Sequence, residues 1–253
     1  MTTQSSHQVL LDQLAKLRLP AFRQALEAQL AQPQYDELPF EERLALLVET
    51  EVLQRQENRV KRRVRQARFQ QTAWVQEIDF SPGRGLKRQQ ILQLAGITWI
   101  RKALNLIILG PTGAGKTYIA CALGRAACEQ DLVARYFRLP RFFQALKLAQ
   151  LEGTYPKLIK SLHNADLLIL DDWLRDPLTM VEAQFLLDIL DDRYGRMATM
   201  LVSQFPIPTW HARIPDPTLA DAILDRLVHN AHHIELQGES QRKIRAQRIM
   251  AST

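Results

Sequence analysis

Glycine is scarce in this chain, 10 residues in 253, and cysteine scarcer still, with 2. So little glycine beside 46% hydrophobic residues reads as a globular, helix-rich protein, and no repeat or low-complexity segment interrupts it. Cys121 and Cys128 offer neither a disulfide framework nor zinc-ligand spacing, and read as small core residues in a reducing cytoplasm. His229, His232 and His233 stand without the cysteines or carboxylates a metal centre needs. Long apolar runs are missing as well. None approaches the ~20 residues of a membrane span, and the opening MTTQSSHQ is no secretory signal, so a cytoplasmic location without a membrane partner is expected.

Acidic charge is also in deficit. The net charge is +6, and its excess is concentrated. Arg55, Arg59, Lys61, Arg62, Arg63, Arg65 and Arg68 face a single acid, Glu57, and a second cluster, Arg242, Lys243, Arg245 and Arg248, lies near the end. Solvated faces normally mix signs, so a one-sided run in a basic protein points to a polyanion.

Residues 9 to about 70 carry helical periodicity: Leu10, Leu11, Leu14 and Leu17, then Phe22, Ala25, Leu26 and Leu30 after Pro20, then Leu44, Leu47, Val48 and Val52 after Pro39. Beyond Leu53 only Val60 and Val64 continue the apolar stripe, so this third helix is expected to run into solvent with its arginines. From about Ala73 the pattern changes. Apolar strands near 104–110, 132–138, 166–171, 199–204 and 232–236 alternate with helical stretches, which predicts an α/β domain with a five-stranded parallel sheet. The expected division is residues 1–70, a small all-α module for DNA or a partner, and residues 71–253, an α/β domain.

What chemistry that domain performs is written in Leu104–Tyr118, LNLIILGPTGAGKTY. Gly110, Gly115, Lys116 and Thr117 fit G-x-x-x-x-G-K-[ST], with Pro111, Thr112, Gly113 and Ala114 between them and Tyr118 following. Backbone N–H groups can close on phosphate oxygens only where side chains do not intrude, which is why the loop is glycine-rich. Lys116 would reach the β/γ-phosphates and Thr117 would ligate Mg²⁺. An apolar strand before the loop and the helical Ile119–Leu123 after it supply the required context. ATP and Mg²⁺ are the expected ligands.

Hydrolysis needs acids on a neighbouring strand, and Ala165–Asp172, ADLLILDD, provides them. Asp171 would stand beside the metal's water shell and Asp172 would polarise the attacking water. Thr199–Gln204 is another buried strand, ending in Gln204, which suits either the attacking water or the γ-phosphate, or else a purely local bond. Asp216-Pro217 opens a helix that carries Arg226. Spacing alone does not decide whether Arg226 offsets the helix dipole or reaches a neighbouring subunit's γ-phosphate.

The order GPTGAGKT, LLILDD, LVSQFP, DPTLADAILDRLVHNAHHIEL, GESQRK resembles the IstB family across nearly the whole chain. These are AAA+ ATPases that assist insertion-sequence transposition, relatives of the helicase loader DnaC. The phosphate loop and acidic pair are common to both groups, whereas LPFEERLALLVETEV and DPTLADAILDRLVHNAH are similar to stretches particular to IstB. The resemblance implies that the Gln204 strand lies between the phosphate-loop and Asp171 strands, which makes Gln204 the sensor-1 position. It implies that Arg226 is an arginine finger acting in trans within a homo-oligomer. It also implies that the protein assembles with ATP on double-stranded DNA and presents it to the transposase IstA, with a helicase-loader role as the alternative.

Two departures stand out. Asp172 is one methylene shorter than the Glu usual in AAA+ proteins, and the 17 residues after the last strand are too few for the usual helical lid. Arg242 is then a substitute for a lid arginine, and adenine contacts fall to the segment before the loop, at Phe80, Arg84, Gly85 and Leu86.

Overall fold

The structure, a computed structural model, describes residues 2–238, 240 and 241, so Arg242 and the basic cluster around it lie outside the described residues. The chain divides into two compact units, 1–62 and 63–253, and the division falls inside the third helix rather than after it.

In the first unit, α1 (Thr2–Lys16) and α2 (Pro20–Ala31) are followed by α3 (Phe40–Ala67), whose early turns belong to this unit. Leu11, Leu14, Ala21 and Leu47 are buried among them. The orphan N–H groups that open α2 are met from a distance: Ala21 and Phe22 donate to Glu51 Oε2 at 2.9 and 3.0 Å, and Arg55 Nε donates to Glu51 Oε1 at 2.7 Å. Burial alone would raise the Glu51 carboxyl, but Arg55 and the two backbone donors outweigh it and hold it below the ordinary value.

In the second unit α4 (Arg88–Ala95) and α5 (Thr98–Arg101) precede β1 (Asn105–Leu109). There follow α6 (Lys116–Glu129), β2 (Ala134–Arg138), α7 (Leu139–Leu151), α8 (Tyr155–His163) and β3 (Leu167–Asp171). Then come α9 (Met180–Arg193), β4 (Ala198–Ser203), α10 (Pro217–Val228) and β5 (Ala231–Glu235). The strands form one parallel sheet of order β2-β3-β4-β1-β5. Period-two alternation distributes side chains to two cores. Leu106, Ile108, Ile169 and Val202 meet α4, α5 and α6, while Ile107, Leu168, Leu170 and Leu201 meet α7 to α10.

The order also fixes where a ligand sits. The chain leaves β1 toward β2 on one side and leaves β4 toward β5 on the other, so a crevice opens between adjacent β1 and β4 at their carboxyl ends. The end of α3 departs from expectation. Val64 and Ala67 pack into the first core, so the last turn of this helix is seated in the second unit instead of in solvent. Cys121 and Cys128 are buried on α6, and burial pushes both thiols up to about 11.

Candidate functional site

β1 delivers the chain to Gly110, whose φ of 144° lies outside what an L side chain readily adopts, and a Cβ there would stand 2.6 Å from the Leu236 carbonyl oxygen. Gly115, φ 98°, has the same need: its Cβ would meet the Arg84 guanidinium at 2.9 Å. The loop from Gly110 to Gly115 then enters α6 at Lys116. Lys116 Nζ donates to the carbonyls of Gly110 (2.7 Å) and Pro111 (2.9 Å), within the loop it is expected to serve. Burial lowers the Lys116 ammonium, and the carboxylates of Asp171 and Asp172 oppose that shift.

Asp171, buried at the end of β3, accepts from three donors. Thr117 Oγ1 (2.7 Å) and Tyr136 Oη (2.6 Å) both donate to its Oδ2, and the Asp172 N–H donates to Oδ1 at 2.7 Å. Burial and the adjacent Asp171 charge push the Tyr136 phenol far up, so it remains a donor. Asp172 turns out of the strand with φ 54°. Its Oδ2 accepts from Arg138 Nε at 2.6 Å, with Arg175 3.6 Å away. Gln204, just past β4, accepts from Thr112 Oγ1 at 2.6 Å, so β4 brings it to the phosphate loop across the β1–β4 crevice.

The segment before β1 behaves differently from expectation at several positions. Arg84 does line the pocket beside the loop, together with Ile78, Gly113, Tyr118 and Ile119. Its guanidinium, however, is spent on backbone: Nη2 donates to Ala114 O at 2.8 Å and Nη1 to Asp79 O. It braces the loop from beneath. Leu86 and Phe80 are absent from the pocket lining and pack against the first core, and Gly85 abuts the Glu235 carbonyl. Tyr118 Oη donates to Glu77 Oε2 at 2.8 Å, which closes one wall.

Arg226 lies on the last turn of α10. Asn105 Nδ2, at the first residue of β1, donates to the Arg226 carbonyl (2.9 Å), and the phosphate loop leaves the other end of that strand. The Arg226 backbone and its own loop are therefore separated by the length of β1, about 16 Å at ~3.3 Å per residue.

The basic cluster is only partly available. Arg55 pairs with Glu51 and donates to Arg18 O at 2.8 Å, Lys61 pairs with Glu57 at 3.1 Å, and Arg63 pairs with Asp131. Arg68 lies beyond the end of α3. Arg55, Arg59, Lys61, Arg62, Arg65 and Arg68 are exposed, whereas Arg63 is partly covered. Arg55, Arg59 and Arg62 share a helical face by their spacing.

Sequence reasoning missed Tyr136, Arg138 and Arg175. No signal in the sequence marks them: Tyr136 and Arg138 reach the acidic pair through the parallel pairing of β2 with β3, whose register sets Arg138 beside Asp171. Among the described residues no group of three His, Cys, Asp or Glu side chains could hold a metal ion, and no helix is long and apolar enough to cross a membrane.

The fold is shared with solved structures of low sequence identity. The chain superposes on the DnaC helicase loader with a TM-score of 0.52 at 17% identity, covering 65% of this chain and 97% of that one. For DnaI the values are 0.57, 20%, 70% and 94%. Sequence relatives are closer. A protein from Sinorhizobium fredii described as an insertion sequence ATP-binding protein is 43% identical over 92% of this chain and 95% of its own length. The ATP-binding protein of insertion sequence IS1162 from Pseudomonas fluorescens is 40% identical over 82% of this chain and 90% of its own. Residues 12–249 match the family model described as IstB-like ATP binding protein. A five-stranded parallel sheet, a phosphate loop ending in Lys116-Thr117 and this match together make the chain a member of the IstB-like ATP-binding proteins of insertion sequences.

Proposed function

We propose that this protein hydrolyses ATP between subunits of a homo-oligomer assembled on duplex DNA, and that it presents that DNA to a partner transposase of the IstA kind. The carrying observation is the separation of Arg226 from its own phosphate loop along β1. A finger so placed can complete only a neighbour's site, which makes turnover depend on assembly.

Within one subunit, backbone N–H groups of residues 112–115 and Lys116 would hold the β/γ-phosphates, and Gln204 and Thr112 would meet the γ end. Thr117 Oγ1 and Asp171 form a hard-oxygen pair that suits Mg²⁺, which would supply charge neutralisation at the phosphates. Water attacks the γ-phosphorus, and Asp172 receives its proton as ADP leaves. Arg138 engages Asp172 Oδ2, which leaves Oδ1 for the water. A short carboxylate restrained by arginine suits slow turnover, with ATP acting as a timer for the DNA complex.

Asp172→Asn is expected to preserve ATP binding and lower turnover by about 10²-fold, because the amide keeps the shape but accepts no proton. Assemblies on DNA should last longer in that variant. Equal dissociation rates for variant and wild type would show that hydrolysis does not end the complex.

The exposed face of α3 is assigned to DNA phosphates rather than bases, since closely spaced cations track a backbone but read no base edges. Reversing Arg59 and Arg62 to Glu should weaken binding to unrelated duplexes equally, and the log–log salt slope should fall by roughly 0.9 for each phosphate no longer neutralised. An unchanged slope would make the run a solvated face. The whole proposal is tested by sedimenting the protein with duplex DNA and a non-hydrolysable ATP analogue. Nucleotide-dependent assembly on the duplex supports it, and a stable complex with a replicative helicase instead would favour a loader.

A further inference from the structure

The carbonyl end of α10 is fixed to the sheet by one side chain. Asn105 Nδ2 donates to Arg226 O (2.9 Å), Leu227 O (3.2 Å) and Asn230 Oδ1 (2.9 Å), while its Oδ1 accepts from the Thr199 N–H at 3.0 Å. The backbone of Arg226 is thus locked to both β1 and β4. What remains free is the long side chain, with several rotatable bonds to settle before its guanidinium can meet a phosphate.

Two hydrogen bonds remove that freedom. Arg226 Nη1 donates to Ala222 O one turn earlier, at 2.8 Å, and Nε pairs with Asp191 Oδ1 on α9. Asp191 is the one carboxylate among the described residues paired with Arg226. A guanidinium has five N–H donors in a rigid plane, so engaging Nε and one Nη1 hydrogen orients the fork and leaves the Nη2 edge for another acceptor. The Arg226 side chain is about one-quarter exposed, so it can be reached from outside the subunit.

We propose that Asp191 is a positioning residue: it aims Arg226 at the γ-phosphate bound by the neighbouring subunit. The inference rests on the trans-acting reading of Arg226. Asp191 touches no reacting atom; it sets the orientation of a group that does. Misplacement of a catalytic group by about 1 Å can cost ~10²-fold in rate.

The experiment measures DNA-stimulated ATPase in the full chain for Asp191→Asn, Asp191→Glu, Arg226→Ala and the double variant Asp191→Asn with Arg226→Ala. Asp191→Asn should lower kcat about 10- to 100-fold with KM for ATP and thermal stability unchanged, and Asp191→Glu should recover part of the loss. In the Arg226→Ala background the same change should cost nothing further, because there is no fork left to aim. Mixed with Lys116→Ala subunits, Asp191→Asn should regain activity as Arg226→Ala does, which maps its defect to the finger-donating subunit.

An additive loss in the double variant, or a kcat equal to wild type while Arg226→Ala is impaired, would overturn the positioning role alone. A rise in kcat would overturn it too, by showing that Asp191 restrains the finger. If Arg226→Ala itself turns over normally, the finger reading falls and takes this inference with it.

Discussion

Lys116→Ala should abolish tight ATP binding, and ATP-dependent assembly on DNA should be lost with it. Lys116 is the mobile cation at the head of α6, and its Nζ rests on the Gly110 and Pro111 carbonyls, inside the loop that would wrap the phosphates. Two charge-assisted bonds to phosphate oxygens at ~1.5–3 kcal/mol each correspond to a loss of about 10²- to 10⁴-fold in affinity. Asp171 and Asp172 would also stand near the β/γ-phosphates without a balancing ammonium. Titration with a fluorescent ATP analogue reads the change. Wild-type affinity in a folded Lys116→Ala protein would move the site away from Gly110–Thr117.

Arg226→Ala should leave ATP binding to the isolated subunit intact and lower turnover of the assembly by about 10³-fold. The first half follows from distance, because β1 separates Arg226 from its own loop. The second follows from charge: phosphoryl transfer spreads negative charge over the equatorial oxygens, and a guanidinium delivered from a neighbour stabilises it. Mixing Arg226→Ala with Lys116→Ala subunits makes the test sharper. Each variant is inactive alone, yet some mixed interfaces join an intact loop to an intact finger, so partial activity should return. No recovery at any ratio, in assemblies verified as mixed, would place the Arg226 contribution within its own subunit.

Residues whose chemistry is local were legible from the sequence. The phosphate loop, the acidic pair and the Asp216-Pro217 helix start are contiguous strings, and the last is completed by a neighbour along the chain: the Asp216 carboxylate accepts from the Leu219 N–H at 2.9 Å. The three central strands were legible for a similar reason, since strands covered on both faces are apolar nearly throughout. Residues that depend on pairing across the fold were not. Arg138 becomes the partner of Asp172 only because β2 lies beside β3 in a particular register, and Tyr136 reaches Asp171 by the same pairing.

The segment before β1 makes the same point in the opposite direction. Arg84 and Leu86 are adjacent to a glycine in a plausible nucleotide-facing loop, and composition alone does not separate them. Packing does: Leu86 is drawn into the apolar core, and Arg84 turns under the loop because the Ala114 and Asp79 carbonyls need donors there. Arg63 likewise reads as one more cation in a basic run until α6 and its following turn bring Asp131 beside it. The sequence by itself determined the class of fold and the ATP-binding character of the chain, because those follow from periodicity and short-range spacing. Only the tertiary structure decided which charges are already neutralised and what each arginine holds, Arg84 the carbonyls beside the loop and Arg226 the Asp191 carboxylate, because electrostatic pairing depends on distance in space rather than along the chain.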